Sequence, residues 1–128
     1  MDEKKIPESC TCYYVRKRID AVNKRIVDCN QHLPLSQTEP TATKIAEVFC
    51  LPGIGPVPIY YSKFKTLDPV IQAGVRIHED EHVMQCKNLG WKRFGDLHKK
   101  KEYVLEVPAY QKERDFLDKK FKETCNKR

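Results

Sequence analysis

In the stretch His78-Glu79-Asp80-Glu81-His82, two histidines stand four positions apart with carboxylates between them. On an α-helix, residues four apart project from one face, about 40° from each other. Two imidazoles placed in this way can bind one zinc ion, and the glutamate after the first histidine can act as a base, which is the logic of the HExxH motif. The stretch therefore predicts a metal-binding helix at the centre of the fold.

The sequence on either side of the histidines predicts where this helix begins and ends. Asp68 can cap the first turn, and Pro69 is the residue best tolerated at the first helical position. Gly90 suits the left-handed backbone conformation that ends many helices. We therefore expect one helix of about 20 residues between these signals, with Asp80 on its solvent side.

The motif is palindromic, so the sequence offers two candidates for the base. Read in reverse it is HxxEH, an inverted zinc motif in which Glu81 takes the place of Glu79. On the helical wheel Glu81 leans toward Ile77 and Met84, a side that we expect to be core, whereas Glu79 leans toward a mixed surface that can open onto a cleft. We predict Glu79 as the base and keep Glu81 as the alternative.

A third metal ligand is required, because a catalytic zinc normally takes three ligands from the protein and leaves a fourth position to water. The metzincin arrangement is excluded, since it needs glycine and histidine where this chain has Gln85 and Asn88. The remaining option is a glutamate from a second helix, and we predict Glu106. Glu102 and Glu113 stay open as alternatives.

Two motifs give the chain a resemblance to the glutamate-type zincins, in which HExxH on one helix is completed by a glutamate from the next. HExxHxxQ spans His78 to Gln85, and ExxAY spans Glu106 to Tyr110. This pair is most similar to the small metallopeptidase domains of bacterial toxins and effectors, over about residues 44 to 118. The chain lacks the NExxSD-type segment of larger members. The resemblance implies a zinc-dependent hydrolase of peptide bonds.

Amide hydrolysis at such a site also needs a group that stabilises the developing oxyanion beside the zinc. Tyr110, four residues after Glu106, is the predicted donor. A buried wall aromatic is the alternative role for Tyr110. Other candidates for the donor are Tyr103, Tyr60, Tyr61 and His98.

The rest of the chain predicts a small α+β fold, a minimal zincin-like domain with three main helices. Apolar residues recur at steps of three and four over residues 13–29, which indicates an amphipathic supporting helix. Residues 43–51 and 57–64 look like two strands around a turn rich in proline and glycine. In zincins the edge of such a strand pairs with extended substrate, although the hairpin can equally serve only to cover the core.

The final helix is expected over about residues 103–123. It either begins close to Glu106 or bends there, because Pro108 cannot donate a backbone hydrogen bond. We expect one domain over residues 1–128. Within it, residues 1–42 supply the supporting helix and a loop at 31–42, and residues 43–128 supply the hairpin, the HExxH helix and the third-ligand helix.

Charge and cysteine content set the expected surroundings of the protein. The formal net charge of +6 and the pI near 9.0 favour anionic surroundings such as cell-wall polymers or an acidic protein. No nucleic-acid partner is expected, because no aromatic and basic motif stands out. Six cysteines permit three disulfides, so an oxidising destination is expected, although Cys12 and Cys29 also suit buried thiols. For Cys86, one turn after His82, packing or a disulfide is favoured over metal contact.

No apolar run has the length of a signal peptide or of a membrane span. We expect a protein that is cytoplasmic before export and reaches the periplasm or another cell without a cleavable signal peptide. Its expected partners are a protein or peptide substrate and a cognate immunity or inhibitor protein. One alternative is hydrolysis of a peptidoglycan amide at the same zinc site. An alternative of another class is a non-catalytic, basic, disulfide-stapled binding module.

Overall fold

The computed structural model describes residues 10–31 and 44–125, so the predicted loop at 31–42 lies almost wholly outside the described residues. Within the described residues, five helices accompany a two-stranded antiparallel sheet, and the predicted α+β class is confirmed. No helix in these ranges is both long enough and apolar enough to cross a membrane. In chain order the elements are α1 (Cys10–Asn30), β1 (Ala46–Leu51), β2 (Gly55–Tyr60), α2 (Ser62–Lys65), α3 (Pro69–Leu89), α4 (Trp91–Lys100) and α5 (Glu102–Thr124).

Helix α3 carries both histidines and has the predicted bounds. The Asp68 side chain caps its first turn by accepting a hydrogen bond of 2.9 Å from the Val70 backbone N–H. At the other end Gly90 has a φ of 82°, a conformation that residues with a Cβ rarely adopt. Asp80 is exposed, as expected. The capping residues therefore fix where helix α3 starts and stops.

Helix α5 starts one turn before Glu106 and continues through Pro108. The expected start close to Glu106 is therefore met to within about one turn. Proline has no N–H to donate to the carbonyl four residues earlier, so the Val104 carbonyl receives no helical hydrogen bond from position 108. The helix nevertheless carries Glu106 and Glu113 on a common side, two turns apart.

Helices α1, α3 and α5 pack around the largest apolar cluster, whose buried residues are Val15, Phe64, Ile71, Val75 and Leu117. Helices α3 and α5 approach closely at Gly74, where an added Cβ would lie 3.1 Å from Leu117 Cδ2. Ala109, on the same side of α5, is completely buried. Small residues at this crossing hold the two helices close enough for their polar side chains to meet.

The hairpin β1–β2 has one edge that proline blocks. Pro58 pairs with Val48, and Pro56 pairs with Cys50. Proline has no backbone N–H to donate, so these two pairs are the ones that exchange no hydrogen bonds across the hairpin. In such pairs the backbone N–H and C=O groups point away from the partner strand, toward the outer edge of each strand. The free edge of β2 thus lacks two donors, whereas Val48 and Cys50 keep theirs on the outer edge of β1. In the described residues β1 pairs with β2 alone.

The predicted second strand was too long, because residues 62–65 form the one-turn helix α2 instead of extending β2. The first strand starts at Ala46, and position 43 lies outside the described residues. The helix that carries His98 was not among the three predicted main helices. Residues 91–100 form α4, whose Phe94 is buried against Cys86 and Leu105 while His98 itself is exposed.

Two disulfides join distant parts of the chain. Cys12 bonds Cys125, which ties the start of α1 to the residue after α5. Cys50 bonds Cys86, which ties β1 to α3. Cys10 and Cys29 form no disulfide. The expected buried thiol is therefore correct for Cys29 and wrong for Cys12, and the preference for a disulfide over metal contact at Cys86 is confirmed.

Candidate metal centre

His78 and His82 lie one turn apart on the buried face of α3. Both are largely shielded from solvent, at 6% and 7% relative exposure. Their Nε2 atoms approach to 3.2 Å. Burying two imidazoles side by side is costly unless their nitrogen atoms have partners, so the surroundings of these four nitrogen atoms decide what the site can do.

Glu106 brings one carboxylate oxygen to both Nε2 atoms. Its Oε1 lies 3.1 Å from His78 Nε2 and 2.8 Å from His82 Nε2. Glu113, one of the two alternative ligands, contacts His78 only at Nδ1, on the other side of the ring. Among the described glutamates, Glu106 is the one that meets both Nε2 atoms, whereas Glu102 does not. Helix α5 thus places the predicted third ligand where the two imidazoles converge.

The outer nitrogen of each imidazole has a partner that fixes its proton. Glu113 Oε1 lies 3.1 Å from His78 Nδ1 and can only accept. Gln85 Oε1 lies 2.8 Å from His82 Nδ1. The orientation of the Gln85 amide is set by its Nε2, which donates to the Leu105 carbonyl at 2.9 Å. A proton on Nδ1 of each ring satisfies both contacts, and a neutral ring protonated in this way presents its Nε2 lone pair inward.

When both imidazoles are neutral in this form, three electron-pair donors face one point: the Nε2 atoms of His78 and His82 and the Oε1 of Glu106. Such a meeting is unfavourable unless a proton or a metal cation lies between the donors. Two imidazoles and one carboxylate are a ligand set that zinc takes in catalytic sites. The residues present therefore fit a zinc ion, both in their chemistry and in the direction of their lone pairs.

The electrostatics of the cluster favour positive charge. Burial opposes a charge on His78, but hydrogen bonds to Glu106 and Glu113 and their negative charge raise its pKa to about 10. The pKa of His82 is raised against burial by Glu106 in the same way. Burial also opposes ionisation of Glu106, yet the two imidazoles hold its pKa far below the ordinary range. The pocket is thus built around an ionised carboxylate that attracts cations.

Glu79 completes the cluster and is buried. Its Oε2 lies 3.9 Å from His78 Nε2, and the ligand atoms of His78, Glu79 and His82 all lie within 4.8 Å of one another. Within the described part of the chain, Glu79 Oε1 is a buried oxygen with no hydrogen-bond partner. Burial raises the pKa of this carboxyl group. These three residues form a cluster that can hold a metal ion, with one carboxylate oxygen still unused.

Glu81, the alternative base, is committed elsewhere. It accepts hydrogen bonds from Lys112 Nζ at 2.5 Å and from Gln85 Nε2 at 3.3 Å. The expectation that the Glu81 side of α3 is core was nevertheless wrong, because Met84 on that side is 51% exposed whereas Glu79 is buried. A groove opens on the side of α3 that carries Glu81, and both Glu81 and Leu97 line it.

Tyr110 lies against the metal centre as an aromatic wall. Its ring centroid is 4.4 Å from that of His78 at an interplanar angle of 68°, an edge-on contact. On its other side it packs with Val22 and Ile26 of α1, and the Arg25 guanidinium lies 5.7 Å from the ring. These contacts match the wall role that the sequence left open. Stabilisation of an oxyanion by Tyr110 stays a prediction.

Arg18 is the residue near the centre that sequence reasoning missed. It reaches the centre through Glu113, to which its Nε donates at 2.7 Å. The seven-residue spacing of Glu106 and Glu113 was a usable signal, because it places both on one side of α5. No comparable signal marks Arg18, which belongs to a run of basic residues on α1.

No protein-family model, no curated protein and no solved structure matches this chain.

Proposed function

We propose that the protein is a zinc-dependent hydrolase of peptide bonds, with His78, His82 and Glu106 as ligands and Glu79 as the base. One observation carries the proposal. A single oxygen of Glu106 reaches the Nε2 atoms of both histidines, which come from another helix. If HExxH were a chance sequence on a surface helix, its histidines would be exposed to solvent and would not contact a carboxylate from a distant helix.

The chemistry divides between the ion and the protein. Zinc in such a site supplies Lewis acidity toward a carbonyl oxygen and makes water a usable nucleophile near neutral pH. Glu79 takes the proton of the attacking water and passes it to the leaving amine as the C–N bond breaks. Its unpartnered Oε1 is available for this task, and burial raises the pKa of the carboxyl group.

Substrate binding is proposed at the outer edge of β1. The Cys50–Cys86 disulfide holds this strand beside α3, one turn beyond His82. The backbone donors of Val48 and Cys50 face that edge, whereas prolines remove donors from the edge of β2. An extended peptide added to β1 would form backbone hydrogen bonds and run along the metal-binding helix.

The proposed setting is outside the cytoplasm. Disulfides are typical of oxidising compartments, and two join elements of this fold. We propose that the protein is an exported effector or toxin with a cognate inhibitor protein, in keeping with its resemblance to such metallopeptidase domains. The net charge of +6 suits an anionic cell wall, so a peptidoglycan amide is the second candidate substrate.

The direct test compares zinc-loaded protein with the Glu79→Gln variant on two substrates, an unfolded protein and purified peptidoglycan. Mass spectrometry identifies new amino termini or released wall fragments. We expect cleavage of the unfolded protein by the wild type and none above background by the variant. Cleavage of peptidoglycan alone would move the assignment to a wall amidase.

A non-catalytic binding module is the competing class of function. It predicts that wild-type protein and the Glu79→Gln variant behave alike on every substrate and in every toxicity assay. It also allows a bound metal, since a structural ion needs no base. Equal behaviour of the two proteins, both loaded with zinc, would therefore overturn the hydrolase proposal in favour of the binding module.

A further inference from the structure

A buried charge network connects three helices behind the metal centre. Glu113 of α5 has no solvent exposure at all. Arg18 of α1 donates to its two oxygens, from Nε at 2.7 Å and from Nη2 at 3.2 Å. The Oε1 of Glu113 also faces His78 Nδ1 at 3.1 Å. The carboxylate is thus held from both sides and cannot turn away from His78.

The paired guanidinium explains how an ionised carboxylate survives in this position. Burial opposes its charge, but the two hydrogen bonds from the Arg18 guanidinium and the contact with His78 stabilise the ionised form. The two hydrogen bonds from Arg18 form a fork that also fixes the plane of the carboxylate. Helix α1 therefore contributes to the geometry of a centre whose ligands all lie on α3 and α5.

We propose that Glu113, fixed by Arg18, is a positioning residue that holds the His78 ring and its Nδ1 proton so that Nε2 stays open to the metal. This inference rests on the proposed function, because it takes His78 to be a metal ligand. It goes further by assigning the metal affinity in part to a residue that does not touch the ion.

The chemistry follows from the two tautomers of imidazole. A proton on Nδ1 leaves the Nε2 lone pair for a metal, whereas a proton on Nε2 blocks it. A carboxylate that accepts from Nδ1 favours the first form, fixes the ring plane and makes Nε2 more basic. For His82 the amide of Gln85 occupies the corresponding position. The two ligands thus have different outer partners, one charged and one neutral.

The test must separate positioning from plain stabilisation of the fold, since Arg18 and Glu113 also form a buried ion pair. Two double variants share the loss of that pair: Arg18→Met with Glu113→Gln, and Arg18→Met with Glu113→Met. Replacing both charges with groups of similar size is often neutral for stability. The first variant keeps an oxygen that can accept from His78 Nδ1, and the second does not.

Zinc affinity is measured by competition with a chelator for both double variants and the wild type, with circular dichroism to verify folding. The variant with methionine at position 113 should bind zinc about 10- to 100-fold more weakly than the wild type, which is the usual effect of losing an outer partner. The variant with glutamine should recover at least part of that loss. Nitrogen NMR of the zinc-loaded wild type should find the His78 proton on Nδ1.

Equal zinc affinities for the two double variants would overturn the positioning role and leave Glu113 with a structural one. A proton on Nε2 of His78 in zinc-loaded protein would overturn it as well. A wild type that binds no zinc is a different outcome, because it rejects the proposed function and the inference together. If either double variant fails to fold, the single Arg18→Lys variant decides, because it keeps a positive charge beside Glu113 but loses the fork that fixes the carboxylate plane. It should bind zinc more weakly than the wild type, and an unchanged zinc affinity would overturn the role of Arg18.

Discussion

The Oε1 of Glu106 lies 2.8 Å from Nε2 of His82, although 24 residues separate them in the sequence. The turn of the chain between α3 and α5, through the short helix α4, brings them together. The close approach of the two long helices at Gly74 supports the same contact. A distance of this kind between a carboxylate and an imidazole on separate helices is what a shared metal ligand set requires.

The two glutamates inside the motif should differ in their effect on hydrolysis. Glu79→Gln should lower the rate by about 10²- to 10⁴-fold, the usual contribution of a general base, while zinc stays bound. Glu81→Gln is the matched control, because the Glu81 carboxylate accepts hydrogen bonds from Lys112 and Gln85 and is not part of the proposed zinc site. Rates and zinc content are measured for both variants. The opposite ranking would show that the inverted motif operates, with the groove beside Glu81 as the cleft.

Zinc should stabilise the folded protein through His82. At a zinc concentration 100-fold above the dissociation constant, binding to the native state alone adds about 2.7 kcal/mol to the free energy of unfolding. The His82→Ala variant should lose this response, while His98→Ala, an exposed histidine on α4, should keep it. Thermal unfolding with zinc and with a chelator measures the effect. An equal response in the two variants would place the bound zinc elsewhere.

The disulfide between β1 and α3 should contribute to stability. Replacing Cys50 and Cys86 together by serine should lower the free energy of unfolding by about 2–4 kcal/mol in urea titrations. Cys10→Ser is the control, because Cys10 is exposed and forms no disulfide. We further expect mass spectrometry after alkylation to find thiols at Cys10 and Cys29 only. Six alkylated cysteines in protein from its native compartment would contradict both the bridges and the extracellular setting.

Gly74 should be intolerant of larger side chains. A Cβ there already meets Leu117 and the Glu113 side chain at 3.1 and 3.4 Å, so Gly74→Val must push α5 away from α3. Overpacking of this kind costs about 1–3 kcal/mol of stability, and zinc affinity should fall because Glu106 moves with α5. Gly95→Val on α4 is the control, since nothing lies within 4 Å of its added Cβ. Equal stability and zinc affinity in the two variants would refute the tight crossing.

Local signals in the sequence were sufficient for the metal-binding helix. Asp68, Pro69 and Gly90 act through the backbone of their own turns, so their meaning does not depend on distant residues. The position of Glu106 beside the two histidines could also be predicted, because a zinc site would need a third ligand and a second helix could provide it. Helix α4 was not predicted, because its lysines made the segment look polar. Its apolar side is recognised only from the contacts that Phe94 makes with other elements.

Burial on the two sides of α3 depended on tertiary contacts. Periodicity marked the side of Ile77 and Met84 as core. The buried residues of α3, among them Ile71, Val75 and His78, lie on another side, and Met84 is exposed. The same holds for Arg18, which no spacing rule connects with Glu113 across 95 residues. Contacts between distant elements decide such cases, and a helical wheel contains no information about them.

The most direct test of the zinc centre is an anomalous difference map from crystals of the zinc-loaded protein, collected on both sides of the zinc absorption edge. We predict one strong peak at about 2.0–2.2 Å from the Nε2 atoms of His78 and His82 and from a carboxylate oxygen of Glu106. A map with no peak between these three side chains, or with zinc held by other residues, would contradict the account.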